Sequence, residues 1–285
     1  MTPNQRGATF MVTAMAAFAV EDALFKSATH AVPAGLALAI FGACGATLFA
    51  LIARTRGESP LPVGGFSRGL AIRSGFELAG RLFWGLALAF ANLGDTAAIL
   101  QATPLVVVAG AVVVFGERVG WRRWSAIAVG FVGVLLVLRP TGAALQPAAL
   151  FALIGMLGFA GRDLATRAAK PAVTNAQLGV LGFSVIVVAG IIVQLATQAP
   201  LALPPPGAAL RLIGAALVGT AAYASLTAAM RSGDVAVVTP FRYTRLVFAL
   251  ILGRAFFGES PDALMLAGSA LIVGSGIFTL VRSRR

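Results

Sequence analysis

Apolar stretches of about 20 residues alternate along the chain with short joints that hold charged residues, Pro or Gly. A helix needs about 20 mostly apolar residues to cross a lipid bilayer. The longest joints, 54–68 and 200–206, are too short to form a folded domain. The pattern therefore predicts an all-α membrane protein with ten transmembrane helices, at residues 8–26, 33–53, 69–91, 96–115, 121–138, 148–168, 176–196, 208–230, 235–257 and 263–281.

Composition excludes a water-soluble enzyme. The 285 residues are 59% hydrophobic and 11% charged, whereas a soluble chain carries about 25% charged residues. One cysteine and one histidine cannot form a disulfide or a usual zinc or haem site, so no metal or cofactor is expected. The net charge of +12 does not indicate nucleic acid binding, because the chain has too little polar surface for a basic groove.

Lysine and arginine are distributed unequally between the two sets of joints, and cytoplasmic joints collect these residues. With the N-terminus inside, the outer joints hold only Lys26 and Arg139, with Arg211 just within the eighth span. The distribution predicts that both termini are cytoplasmic. The thirteen inner cations are Arg6, Arg54, Arg56, Arg68, Arg118, Arg122, Arg123, Arg167, Lys170, Arg231, Arg282, Arg284 and Arg285.

The two halves of the chain share short motifs at a nearly constant offset of 139 to 142 residues. They predict two five-helix repeats, 1–142 and 143–285. Because five is odd, the second repeat is inverted, and inverted repeats are typical of alternating-access secondary transporters. The matching pairs are Phe18 to Asp22 with Phe159 to Asp163, Trp84 with Tyr223, Gly94-Asp95 with Gly233-Asp234, and Gly116-Glu117 with Gly258-Glu259.

Other functional classes fit less well. A nucleotide-driven pump needs a lysine after glycine in its phosphate loop, but Lys26 and Lys170 follow Phe25 and Ala169. An intramembrane aspartyl protease would need a Gly-x-Gly-Asp motif, which is absent, and a serine protease would need a histidine base inside the membrane. A non-enzyme is predicted, and a channel without saturation or counterflow remains the alternative.

Each half ends its fourth span in Gly-Glu, and the fifth span that follows is rich in small residues. Pro104 with Phe115-Gly116-Glu117 fits the first copy, and Pro240 with Phe257-Gly258-Glu259 fits the second. Over essentially its whole length the chain resembles EamA-type permeases of the drug/metabolite transporter superfamily. The run Arg242-Tyr243-Thr244-Arg245 is similar to the subset that includes bacterial riboflavin and S-adenosylmethionine permeases. The resemblance implies a multi-pass permease of the bacterial inner membrane. Uptake of a vitamin or nucleoside-like solute and export of amino acids or toxic metabolites both remain open.

Ionisable residues inside the spans are costly, so they normally face a cavity or a partner. Arg73, Glu77, Arg81 and Trp84 form one stripe of the third span, either as a self-satisfied ladder or as a cavity wall. In the ninth span Arg242 and Arg245 share a face, and an inner cluster with Glu77, Arg81 and Asp163 is expected. Its surplus of arginine predicts a substrate with a carboxylate or phosphate. The alternative is a structural ion network.

Two aspartates at opposite depths suggest a pair of gates. Asp22 is expected near the outer end of the first span and Asp163 near the inner end of the sixth. Glu21, Asp22, Lys26 and Arg254 could form an outer counterpart of the inner cluster. The hypothesis is that the two layers make and break their ion pairs as the halves rock.

Aromatic and polar residues at matching repeat positions are further candidates for the substrate pathway. Trp84 pairs with Tyr223, and Gln101 pairs with Tyr243. Such aromatics could sandwich a planar solute or serve only in packing. The fifth and tenth spans, rich in small and aliphatic residues, could pack against a second copy to form a homodimer. Apart from the small-molecule substrate, the lipid bilayer is the expected partner.

Overall fold

A computed structural model of the protein describes residues 1–62, 67–116, 120–138, 147–168, 173–232 and 238–282. The described residues form helices and short connections. The repeat-motif residues Glu117, Gly233 and Asp234 lie outside these ranges, as do the joint cations Arg118, Arg139, Lys170, Arg284 and Arg285. The helices are α1 (Pro3–Thr29), α2 (Ala34–Thr55), α3 (Arg68–Phe90), α4 (Leu93–Leu100), α5 (Thr103–Phe115), α6 (Trp121–Leu138), α7 (Pro147–Ala168), α8 (Asn175–Thr197), α9 (Pro206–Ser232), a 3₁₀ helix (Thr239–Tyr243), α10 (Thr244–Phe257) and α11 (Ala263–Arg282).

Several helices begin at side chains that satisfy their first backbone N–H groups. Thr2 with Gln5 and Thr174 with Gln177 form capping boxes at the starts of α1 and α8. The Ser67 hydroxyl accepts a hydrogen bond from the backbone N–H of Leu70 at the start of α3. These local signals place the helix starts close to the ends of the apolar segments.

Two of the predicted spans are not continuous α-helices. The fourth, expected at 96–115, begins earlier and is interrupted between α4 and α5, and the ninth, expected at 235–257, includes the 3₁₀ helix before α10. Pro104 and Pro240 lie in the first turns of α5 and of the 3₁₀ helix. Proline lacks the N–H that would continue a helical hydrogen-bond ladder, which explains both breaks.

Several described helices are long and apolar enough to cross a membrane: α1, α2, the α4–α5 pair, α8, and the segments Ala148–Ala165 and Pro206–Leu226. Trp124–Val137 and Ala263–Phe278 are shorter apolar helices. Helix α3 carries four charged residues, Arg68, Arg73, Glu77 and Arg81, which interrupt its apolar character. The fold is that of an all-α, multi-pass membrane protein, as predicted.

Helices from the first half of the chain pack mainly against helices from the second half. α1 packs along α9 and α10, α2 along α8, α3 along α7, and α6 along α11. Glycines allow the close approach of α3 and α7, because a Cβ atom added to Gly158 would lie 2.4 Å from the backbone N of Gly80. The packing role expected for the stripe Gly155, Gly158 and Gly161 is confirmed. This arrangement brings the polar residues of α1, α3, α7 and α10 together inside the helix bundle.

Candidate functional site

Asp22 and Arg245 form the shortest ion pair described between the two halves. The Arg245 Nη2 atom lies 2.5 Å from Asp22 Oδ2, and the Trp84 indole N–H donates to Asp22 Oδ1 at 3.2 Å. The guanidinium of Arg245 lies over the rings of Phe18 and Trp84, at 5.1 and 5.4 Å from their centroids. The Asp22 carboxylate is therefore held by α3 and α10 although it belongs to α1.

A small cavity lies beside this pair. Its polar wall includes Glu21, Asp22, Arg81 and Trp84, and its apolar wall includes Phe25, Leu38, Phe41, Leu88 and Ile186. The cavity volume of about 20 Å³ is enough for roughly one water molecule. In this conformation the cavity is closed to any metabolite.

Arg81 is held by aromatic rings rather than by Glu77. Its guanidinium lies 5.7 Å from the ring of Phe159 and 5.9 Å from the ring of Phe183. Arg81 also acts electrostatically on Glu21, together with Asp22 and Arg245. Glu21 and Asp22 are 6% and 2% exposed, so these charges interact in a largely water-free environment.

A second group of charges connects α3 with α7. Glu77 pairs with Arg73 at 2.9 Å and with Arg162 at 3.6 Å, and Arg162 binds the carboxylate of Asp163 at 2.8 Å. Arg162 also lies 5.1 Å over the ring of Phe159. Sequence reasoning did not single out Arg162 as a site residue, although a charge adjacent to Asp163 inside a span was the signal that could have identified it.

The expected inner cluster is only partly observed. Glu77 and Asp163 are joined, but through Arg162, and Arg242 interacts electrostatically with Asp163, Arg162 and Arg245. The expectation that Arg245 belongs with Glu77 and Asp163 is wrong, because α1 packs beside α10 and places Asp22 opposite Arg245. Arg242 and Arg245 instead connect the two groups of charges.

The expected outer cluster has a different composition. Lys26 pairs with Glu259 at 3.5 Å, donates to the backbone oxygen of Ala91, and lies 5.3 Å over the Phe257 ring. Arg254, expected to join Glu21, Asp22 and Lys26, instead donates to Ser260 Oγ at 2.6 Å.

Glu259 reaches the start of α4 because of the turn that precedes it. Gly258 adopts a φ of +65°, a conformation that favours glycine. The chain then folds back so that the Glu259 carboxylate accepts hydrogen bonds from the N–H groups of Leu93 at 2.8 Å and Gly94 at 3.2 Å. This contact connects the α10–α11 turn to α4.

The four matched aromatic and polar candidates lie at separate places. Trp84 contacts the Phe159 ring edge to face at 6.2 Å, whereas Tyr223 contacts the Phe49 ring at 5.4 Å. The Trp84 and Tyr223 rings therefore belong to different aromatic groups, and the closed conformation does not sandwich a solute between them. Gln101 and Tyr243 are buried at the breaks before α5 and α10. The Tyr243 hydroxyl packs where Gly276 of α11 leaves space.

The described residues contain no group of three or more His, Cys, Asp or Glu that could hold a metal ion. The chemistry available at the site is therefore that of ion pairs, hydrogen bonds and aromatic rings. Such groups can bind a polar solute, and each of them can exchange an internal partner for a group of that solute.

Several bacterial transporters are similar to this chain. A riboflavin transporter of Rhizobium johnstonii is 28% identical over 71% of the chain and 66% of its own length. An S-adenosylmethionine uptake transporter of Rickettsia felis is 26% identical over 72% of the chain and 69% of its own length. The pseudopaline exporter CntI of Pseudomonas aeruginosa is 25% identical over 94% of the chain and 93% of its own length. These relatives are transporters and not enzymes, which agrees with the non-enzymatic prediction.

A protein crystal structure shares the fold, with a TM-score of 0.65 and 19% identity over 98% of this chain and 99% of that chain. The model of the EamA-like transporter family matches residues 5–139 and again residues 146–281. Together these two matches cover nearly the whole sequence. The chain therefore belongs to the EamA-like transporter family.

Proposed function

We propose that this protein is a secondary transporter that moves a small polar or amphipathic metabolite across the bacterial inner membrane by alternating access. The observation that carries the proposal is the contact of Asp22 and Trp84 with Arg245, where charged and aromatic residues from both halves meet beside a buried cavity. Charges buried inside a membrane protein are costly and normally serve a pathway or a partner.

The proposed architecture is ten membrane spans in two inverted five-helix repeats, 1–142 and 143–285, with both termini cytoplasmic. Three observations support it. The family model matches twice, helix breaks follow Gln101 and Tyr243, which are 142 residues apart, and left-handed glycines end α5 and α10 at Gly116 and Gly258, also 142 residues apart. Two related halves of opposite orientation can exchange conformations and open a central site to either side.

The proposed substrate pathway combines the central cavity with the second group of charges. Its residues are Glu77, Arg81, Trp84, Gln101, Tyr223, Arg242, Tyr243 and Arg245. Asp22 and Asp163 are proposed to gate or couple transport, because each pairs with an arginine that another anion could recruit. A carboxylate, a phosphate or a planar ring on the substrate would fit guanidinium and aromatic groups.

The relatives leave the direction of transport open, since their names include both uptake transporters and an exporter. A homodimer through α6 and α11, the fifth and tenth spans, is proposed because both helices expose large apolar side chains, among them Val132, Leu135 and Leu266.

The test is counterflow in proteoliposomes that contain the purified protein. Vesicles are loaded with unlabelled riboflavin, S-adenosylmethionine or an amino acid mixture, and uptake of the labelled compound is followed. We expect saturable uptake that is accelerated by the internal substrate and lost in Arg245→Ala, with Arg122→Ala as the control for loss of an exposed arginine. Flux that neither saturates nor shows counterflow would identify a channel instead.

A further inference from the structure

The polar wall of the central cavity carries balanced charge. Glu21 and Asp22 provide two carboxylates and line the cavity with Arg81. Arg245, paired with Asp22 at 2.5 Å, provides the second guanidinium. Both arginines act electrostatically on Glu21. The surplus of arginine expected from the sequence is therefore not found at this cavity.

Both kinds of charge at the cavity retain unused hydrogen-bonding capacity. Glu21 Oε2, Arg81 Nε and Arg245 Nε are shielded from solvent and have no hydrogen-bond partner in the structure. A buried polar atom without a partner is costly, so each of these atoms would gain from a ligand group. The unmet acceptor and the unmet donors are provided by residues on the same side of the cavity.

A ligand with a single charge would be a poor match for this wall. An anion alone would compete for the arginines and leave the neighbouring carboxylates of Glu21 and Asp22 without counter-charge. A cation alone would do the same to Arg81 and Arg245. A ligand with both charges can replace both sets of partners without leaving a net buried charge.

We infer that the substrate is a small zwitterion with an apolar or aromatic part, an assignment that rests on the proposed function. Its carboxylate contacts Arg81 and Arg245, and its cationic group contacts Glu21 and Asp22. Its apolar part lies against the wall formed by Phe25, Leu38, Phe41, Leu88 and Ile186. The helices must separate to admit it, because the closed cavity of about 20 Å³ holds roughly one water.

The first experiment compares matched ligands by the thermal unfolding of the purified full-length protein in detergent. One set is phenylalanine, 3-phenylpropionate and phenethylamine, and another is leucine, 4-methylpentanoate and 3-methylbutylamine. S-adenosylmethionine, riboflavin and inorganic phosphate complete the panel. A ligand that binds only the folded state raises the melting temperature. We expect at least one zwitterion to raise it while its singly charged analogues do not.

An equal shift with a singly charged analogue, a shift with riboflavin or phosphate alone, or no shift with any zwitterion would overturn the assignment. Counterflow separates this failure from failure of the proposed function. Counterflow of riboflavin would preserve the transporter and reject the zwitterion, whereas an absence of any carrier-type flux would reject both.

The second experiment changes Glu21. Glu21→Gln removes the negative charge while keeping the size of the side chain, and we expect affinity for the zwitterion to fall about tenfold or more. The matched control is Glu58→Gln in the α2–α3 connection, where affinity should not change. Unchanged affinity in Glu21→Gln would overturn the assignment.

A second variant keeps the experiment decisive if Glu21→Gln does not fold. A Cβ atom at Gly219 of α9 would lie 2.8 Å from Glu21 Oε2, so Gly219→Ala displaces the carboxylate without removing it. We expect this variant also to bind the zwitterion more weakly, while Glu21→Asp retains measurable binding. Full affinity in Gly219→Ala would contradict the role assigned to Glu21.

Discussion

The carboxylate of Glu259 accepts a hydrogen bond from the backbone N–H of Leu93 at 2.8 Å, although 166 residues separate them in the sequence. The same carboxylate pairs with Lys26 of α1 at 3.5 Å. Glu259 therefore satisfies the positive start of α4 and the charge of a buried lysine at once. One side chain from the second half connects two helices of the first.

Glu259→Ala should lower the stability of the folded protein by about 3 kcal/mol, because it leaves the largely buried Lys26 without its counter-charge. Glu259→Gln should lose less, since its side-chain oxygen can still accept from Leu93. Thermal unfolding in detergent measures both changes. Glu58→Ala, which removes a partly exposed acid, should cost no more than about 1 kcal/mol. Equal losses for Glu259→Ala and Glu58→Ala would show that the contact is not stabilising.

Asp22 and Arg245 should behave as an energetically coupled pair. Asp22→Asn or Arg245→Gln alone leaves one buried charge unpaired, so each should reduce counterflow about tenfold or more. The double variant should be much less impaired than the product of the two single effects. Combining Asp22→Asn with Arg122→Gln, which lies on exposed α6, provides the control and should give independent effects. Independent effects for Asp22 and Arg245 would contradict the coupling.

Trp84 has two separable contacts, a hydrogen bond to Asp22 and a ring face under Arg245. Trp84→Phe removes the first and retains the second, and we expect counterflow efficiency to fall about tenfold, the usual effect of losing a hydrogen bond to a charged group. Trp84→Ala removes both and should be more damaging. Trp124→Phe, at an exposed position, is the matched control. An unaffected Trp84→Phe would show that the indole N–H is dispensable.

The sequence predicted the helical class, most helix positions and the residue types of the site, because apolar length and charge inside a span follow directly from composition. It did not predict the partners of those charges. Asp22 and Arg245 are 223 residues apart, and only the packing of α1 beside α10 makes them neighbours. Depth along the membrane, the one coordinate that hydropathy provides, could not distinguish this pairing from the expected one with Asp163.

Lys26 and Glu259 show the same limit. Gly258-Glu259 was visible as a repeat motif, but its physical role depends on a left-handed turn that aims the carboxylate at the start of α4. The helix breaks at Gln101 and Tyr243 were missed because a proline one to three residues away is tolerated in the first turn of a helix and in membrane spans.

Gly158→Ala should destabilise the contact between α3 and α7. The added Cβ would lie 2.4 and 2.6 Å from the backbone N and Cα of Gly80, and two backbones cannot separate without disturbing their neighbours. We expect a loss of about 1 to 3 kcal/mol, the usual cost of overpacking. Gly75→Ala in α3 meets open space and should be neutral or stabilising, because alanine favours helices by up to about 1 kcal/mol. Matching melting temperatures for the two variants would contradict this interpretation.

The proposed topology places the α2–α3 connection in the cytoplasm and the α8–α9 and α10–α11 connections outside. In a Cys44→Ser background, which removes the single native cysteine, we consider Ser59→Cys, Gln198→Cys and Ser260→Cys, all at exposed positions in these three connections. A membrane-impermeant maleimide should label positions 198 and 260 in intact cells, and position 59 only after permeabilisation. The opposite pattern would reverse the orientation. Labelling of only one of 198 and 260 would contradict the ten-span arrangement itself, because an even number of crossings must separate these two positions if both are outside.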